Sequence, residues 1–198
     1  SHYGYVMAET WSQDQLAEAA EGGLIDTVIL AFTDHYGRLM GKRLDAEFFL
    51  QDPSGTHACD YLLTVDMEME PVEGYDFSNW DLGYGDLHLT PDMGTLRPVP
   101  WLDRTALVLC DLVAHDGTPI SVGPRSILRN QIQRLQNLGF EAKAASELEY
   151  FLYRTSYRDA ASTEYRNLEP AGWYVEDYHL LQGARTEDLN GEFRRHLK

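Results

Sequence analysis

The hydrophobic pattern changes its period several times along the chain, and each change marks an element. In SQDQLAEAAEGG, Ser12 with Gln15 three positions on fits a capping box and Gly22-Gly23 fits a stop, which predicts a short N-terminal helix. Residues 27–33 are β-branched and apolar, His35-Tyr36-Gly37 can turn, and residues 38–44 return, which predicts a hairpin. Residues 45–58 read as a short helix followed by a loop, and YLLTVDMEMEP opens like a strand that stops at Pro71. From 75 to 92 the period is poor and Gly, Asp and aromatics mix, so this stretch reads as an irregular loop whose aromatics are ordered against something. TALVLCDLV is a near-continuous apolar run of strand length, predicted to be buried on both faces, and His115-Asp116-Gly117 then turns. GPRSILRNQIQRLQNLGF predicts a helix with Pro124 in its first turn, one apolar stripe through Ile127, Leu128, Ile132, Leu135 and Leu138, and a stop at Gly139. EAKAASELEYFLYR predicts a further strand. The tail holds a Pro-Gly loop, an aromatic segment and a final helix with Arg194, Arg195 and Lys198 at its end, the sign that the helix dipole favours there.

Helix, several strands, helix, strand and helix make an α+β pattern, with a boundary expected within GTPISVG, residues 117–123. No internal repeat or low-complexity segment interrupts it. At 43% hydrophobic residues, the 198-residue chain can build a core. Its 32 acidic residues against 16 basic give −16, which argues against nucleic acid or an anionic membrane as partner. No run approaches the roughly 18 apolar residues of a membrane helix. The opening SHYGYVMAETW lacks the pattern of a signal peptide, and Ser1-His2 reads as a cloning remnant. Cys59 and Cys110 lack metal-type spacing, and Cys110 is expected in the core, which together suggest a reducing cytoplasmic location. His115, His179 and His196 lack ligand-like spacing and read as surface or core residues.

The chemistry is concentrated in SELEYFLY, residues 146–153. In a strand, Glu147, Glu149 and Phe151 would share one face, with the two carboxylates' Cα atoms about 6.6–6.8 Å apart. Two like charges on a half-buried face need compensation from arginine or lysine, from protonation, or from divalent cations. Carboxylate oxygens suit hard cations such as Mg²⁺ or Mn²⁺, and paired metals serve phosphoryl transfer. The plainer alternative places Glu147 at a strand edge and pairs Glu149 with a surface arginine.

Six segments occur in a telling order, GDLHLTPD, TLRPVPW, LVLCDLV, GTPISVGPRSIL, LGF and ELEYFLY, and FTDHYGRLMGK precedes them. In this order and spacing they resemble the N-terminal part of the glutamine synthetase family, most strongly from Asp86 to Arg154. The resemblance implies a small β-grasp-like domain over 1–118 and the start of a catalytic sheet domain over 119–198. It implies an ATP-dependent ligase that phosphorylates the γ-carboxyl of glutamate and lets ammonia or another amine displace the phosphate. Glu147 and Glu149 match the family's metal positions, one for each of two Mg²⁺ or Mn²⁺ ions. Asp86 matches an aspartate that binds and deprotonates the ammonium, and Asp66 in LLTVDME matches a second. Where the family's ammonia users carry F-D-G-S-S, this chain has LTVDMEMEP, which favours a larger amine, such as a polyamine or an alkyl or aryl amine. Arg125 matches a family position and reads as a salt-bridging residue at a helix start. The family also implies a homo-oligomeric ring in which the N-terminal domain closes the neighbour's site.

The family's remaining metal ligands, phosphate-binding arginines and glutamate-binding loop have no match before Lys198. The chain therefore reads as a piece of such a ligase, and these 198 residues alone are expected to be inactive. The alternatives are a non-catalytic structural relative and a module that binds cationic amines without metal.

Overall fold

The computed structural model describes residues 10–197; the readings made on SHYGYVMAE, residues 1–9, and on Lys198 lie outside them. The chain forms two compact units, one running to Ala142 and the other from Lys143.

The first unit is built on a six-stranded sheet. Helix α1 (Gln13–Glu21) has the expected capping box: the Ser12 hydroxyl accepts from the Gln15 N–H, and the Gln15 side chain accepts from the Ser12 N–H. Strands β1 (Thr27–Thr33) and β2 (Leu39–Asp45) form the predicted antiparallel hairpin, with Gly37 at positive φ in its turn. Gly41 permits close strand contact: a Cβ there would lie 1.8 Å from the Leu30 carbonyl oxygen. Helix α2 (Ala46–Gln51) is capped by Asp45, whose carboxylate accepts from the Phe48 N–H. Then come β3 (His57–Cys59), β4 (Asp86–Pro91), β5 (Arg97–Pro98) and β6 (Thr105–Val113). The sheet order is β2-β1-β6-β4-β3, with β5 also paired to β6. β1 runs parallel to β6 and every other pair is antiparallel.

One face of this sheet carries Val28, Leu30, Phe32, Leu87, Leu89, Val108, Cys110 and Leu112 into a single core with Leu16 of α1 and Phe49 of α2. The architecture is mixed α and β, as the element pattern implies. Three expectations are corrected here. Strand β6 alternates buried and half-buried residues, so only one face is fully covered. The stretch 75–92 is loop only to residue 85; Leu87 and Leu89 alternate inward and make β4 a paired strand, a signal too short to stand out between Gly85 and Pro91. Residues 60–63 form a short helical turn rather than a strand.

Helix α3 (Pro124–Asn137) starts at Pro124 as expected, but its stripe stays open: none of its residues is buried, and Leu128 is 61% exposed. It is held at its start by charge. Arg125 donates to Asp92 at 2.6 Å and to Asp111 at 3.0 Å, and Arg129 donates to Asp111 at 2.7 Å. This is the salt-bridging role expected of Arg125.

The second unit contains α4 (Tyr157–Ser162), α5 (Leu180–Gly183) and α6 (Glu187–His196). Arg194 and Arg195 sit in the last turn of α6, as the dipole favours. The predicted strand over 141–154 does not form. Residues 141–152 have no regular structure, and the sole bridge nearby joins Tyr153 to Pro170. A strand needs a neighbour to receive its N–H and C=O groups. Here Arg154 N–H donates to Glu169 and Ala171 N–H to Leu152, and among the described residues no strand pairs with Glu147 to Tyr150.

Candidate functional site

The four carboxylates singled out by the sequence divide between the units: Asp66 and Asp86 in the first, Glu147 and Glu149 in the second.

Asp66 sits at the neck of a tight loop. Val65 bridges Pro71, Val72 N–H donates to Thr64, and the Asp66 and Glu70 backbones are joined at 2.9 Å. The Asp66 Oδ1 accepts from the N–H groups of Glu68 at 2.8 Å and Glu70 at 3.0 Å. Its carboxylate thus shapes the loop DMEME, which also exposes Met67.

Asp86 is exposed at the start of β4, opposite Cys59 in β3. The loop before it is ordered from both sides. Asp60 accepts from the buried Ser78 hydroxyl at 2.6 Å, the Asp60 N–H donates to Gly85, and Tyr84 meets Tyr61 and Trp80 edge-on. Of the aromatics of this loop, Trp80 and Tyr84 meet each other, Tyr84 meets Tyr61 outside it, and Phe77 packs against the core.

Glu147 and Glu149 are both exposed, in a stretch where Leu148 and Phe151 are also exposed, at 85% and 87%. The expectation that burial on a strand face would force charge compensation is corrected: solvated carboxylates carry no such penalty. Their oxygens have the hard-donor chemistry that Mg²⁺ or Mn²⁺ takes, and neither forms an ion pair among the described residues. The arginine pairing considered for Glu149 is absent there too. Two carboxylates are part of a shell that needs about six oxygens. Among the described residues no group of three or more His, Cys, Asp or Glu could hold a metal. By donor type alone the two carboxylates suit such an ion, and they could supply only part of its shell.

Other reactive groups are quiet. Burial, with the Asp111 charge nearby, pushes the Cys110 thiol up to about 12, so it stays protonated in the core. One grouping is not legible in spacing: His57 Nε2 lies 3.1 Å from His88 Nδ1, and His88 Nε2 lies 3.3 Å from His115 Nδ1. Residues 57 and 88 meet because β3 pairs with β4, two strands whose pairing no sequence motif announces.

Three related proteins are similar to this chain along most of its length. The chain is 44% identical over 186 residues to a γ-glutamylethanolamide synthetase of Streptomyces coelicolor, covering 93% of this chain and 40% of that protein. The chain is a homologue of the glutamine synthetase family. It is also 35% identical over 176 residues to a glutamate–isopropylamine ligase of a Pseudomonas species, covering 88% of this chain and 38% of the relative. A type-1 glutamine synthetase of Dictyostelium discoideum is 28% identical over 163 residues, covering 82% of this chain and 31% of that protein. No family model matches the chain. The chain spans about two fifths of the length of the first of these glutamine synthetase relatives and less of the others. No described helix is long and apolar enough to cross a membrane.

Proposed function

We propose that this chain is part of an ATP-dependent ligase that joins the γ-carboxyl of glutamate to an amine through a γ-glutamyl phosphate. The observation that carries the reading is the 44% identity to a γ-glutamylethanolamide synthetase along 93% of the chain. That relative and the glutamate–isopropylamine ligase are named for alkylamines, and both are more similar to this chain than the glutamine synthetase at 28%. Together with LTVDMEMEP, this supports a primary alkylamine over ammonia.

Asp86 is the residue for the amine: an exposed carboxylate attracts the ammonium form and can accept its proton, leaving a neutral nucleophile. Asp66 contributes through the acidic loop that it caps. Glu147 and Glu149 would hold Mg²⁺ or Mn²⁺, which when bound neutralises phosphate charge. In this reading residues 1–118 are a β-grasp-like domain and residues 119–198, including α3, begin the catalytic domain. The exposed strand-like segment 146–153 then pairs within a sheet completed by the rest of the ligase. The protein is a cytoplasmic homo-oligomeric ring, and the ordered aromatic loop 75–85 lies at a subunit boundary.

The test is phosphate release by the full-length protein with ATP, Mg²⁺ and glutamate, adding ammonia, ethanolamine, isopropylamine and a polyamine one at a time. Release that depends on an alkylamine is expected. Release with ammonia alone would make it a glutamine synthetase. No release with any amine from a folded protein would favour the non-catalytic alternative.

A further inference from the structure

The hairpin turn and the Asp66 loop are distant in sequence yet share one guanidinium. Asp34 is 2% exposed, and its Oδ1 accepts from the N–H groups of Tyr36 at 2.9 Å and Arg38 at 2.8 Å. Its Oδ2 accepts from Arg38 Nε at 2.7 Å. The same guanidinium reaches across to the other loop, donating from Nη1 to the Met67 carbonyl at 2.8 Å and from Nη2 to the Asp66 carbonyl at 3.1 Å. Asp34 thus fixes the plane of the fork, and the fork's outer nitrogens hold the two carbonyls at the start of DMEME.

The arrangement is more specific than a surface ion pair requires. One carboxylate is buried to orient one arginine, and that arginine spends its remaining donors on the main chain of a loop 28 residues away. The loop also holds a strained residue, since Met69 has φ of +72°. Its own contacts are short-range, from the Asp66 carboxylate and a few backbone bonds. Without an outside anchor, little ties the loop to the sheet.

We infer that Arg38, locked by Asp34, is a positioning residue for amine selection: it sets where the acidic Asp66 loop stands and so how tightly the amine binds. This rests on the reading above that places Asp66 at the amine site. Lysine cannot replace the fork, because a point ammonium lacks the planar geometry that serves one carboxylate and two carbonyls together.

The experiment uses the full-length protein with ethanolamine or isopropylamine, whichever it turns over. In Arg38→Lys, the amine KM should rise about tenfold, the scale of one lost charge-assisted hydrogen bond. The KM values for ATP and glutamate and the kcat should stay within about twofold. Hydrogen exchange should speed up at the Glu68 and Glu70 amides and remain unchanged in β6. Equal changes in all three KM values, or none in any, would overturn the inference. Asp66→Asn separates the two claims. If it leaves the amine KM unchanged, the placement of Asp66 at the amine site fails and this inference with it. If it raises the amine KM while Arg38→Lys does not, only the clamp fails.

Discussion

The two units share one chain and differ in what they bury. The unit ending at Ala142 encloses a continuous cluster running from Leu16 to Leu112. In the unit from Lys143, Ala160 is the one buried hydrophobic residue among those described, although Leu148, Phe151, Trp173, Val175 and Leu180 are each more than 70% exposed. The sheet and the helices α1 and α2 of the first unit have the partners that their pattern requires, whereas α3 and the second unit carry apolar residues without them. An alternating pattern specifies which face a strand turns inward, but not the neighbour that accepts its hydrogen bonds. SELEYFLY shows this directly: its sequence is that of a strand, yet among the described residues no strand pairs with Glu147 to Tyr150, and only Leu152 and Tyr153 at its end meet Pro170 and Ala171.

The sharpest way to test the contrast is to cut one leucine from each side. Leu89→Ala, at a position with no exposure, should destabilise the first unit by about 2–5 kcal/mol in urea unfolding. Leu148→Ala in this 198-residue chain should stay within about 0.5 kcal/mol, since Leu148 is 85% exposed. In the full-length protein Leu148→Ala should approach the Leu89 value if the segment becomes a buried strand; equal small effects in both contexts would contradict such a strand.

The next effect is electrostatic. Burial pushes the Asp34 carboxyl up, but the Arg38 guanidinium and the Arg38 and Tyr36 N–H groups outweigh it and hold it below its ordinary value of 3.8. A depressed carboxylate stabilises the fold above its unfolded pKa, and that contribution is lost as pH falls through the lower folded value. Asp34→Asn should therefore destabilise the first unit at pH 7 by about 1–3 kcal/mol. Below pH 4 its stability should fall less steeply than the wild type's, as read from unfolding midpoints. The smallest effect is Ser12→Ala, which removes the capping box of α1 and should lower stability by about 1 kcal/mol in the same assay.

Much of the first unit was legible because its signals are local. The Ser12 box, the hairpin around Gly37, the Pro124 helix start and the Arg125 salt bridges all follow from residues close in sequence or from a charge at a helix end. Strands β3 and β4 were missed because runs of three and six residues carry little period, and their identity comes from pairing. The His57–His88–His115 contact and the Arg38 bridge to Met67 went unseen for the same reason, since both join segments far apart in the chain. At the candidate site, the resemblance carried by the ordered motifs implied glutamate–amine ligation, whereas the expectation of burial at Glu147 and Glu149 failed because the segment is solvated.

The most direct measurement of the central claim is Mn²⁺ binding to the full-length protein, followed by electron paramagnetic resonance, in wild type, Glu147→Gln and Glu149→Gln. Two bound ions per chain are expected in the wild type, with the loss or marked weakening of one site in each variant. Unchanged stoichiometry and affinity in both variants would contradict the claim and leave the two glutamates as ordinary surface residues.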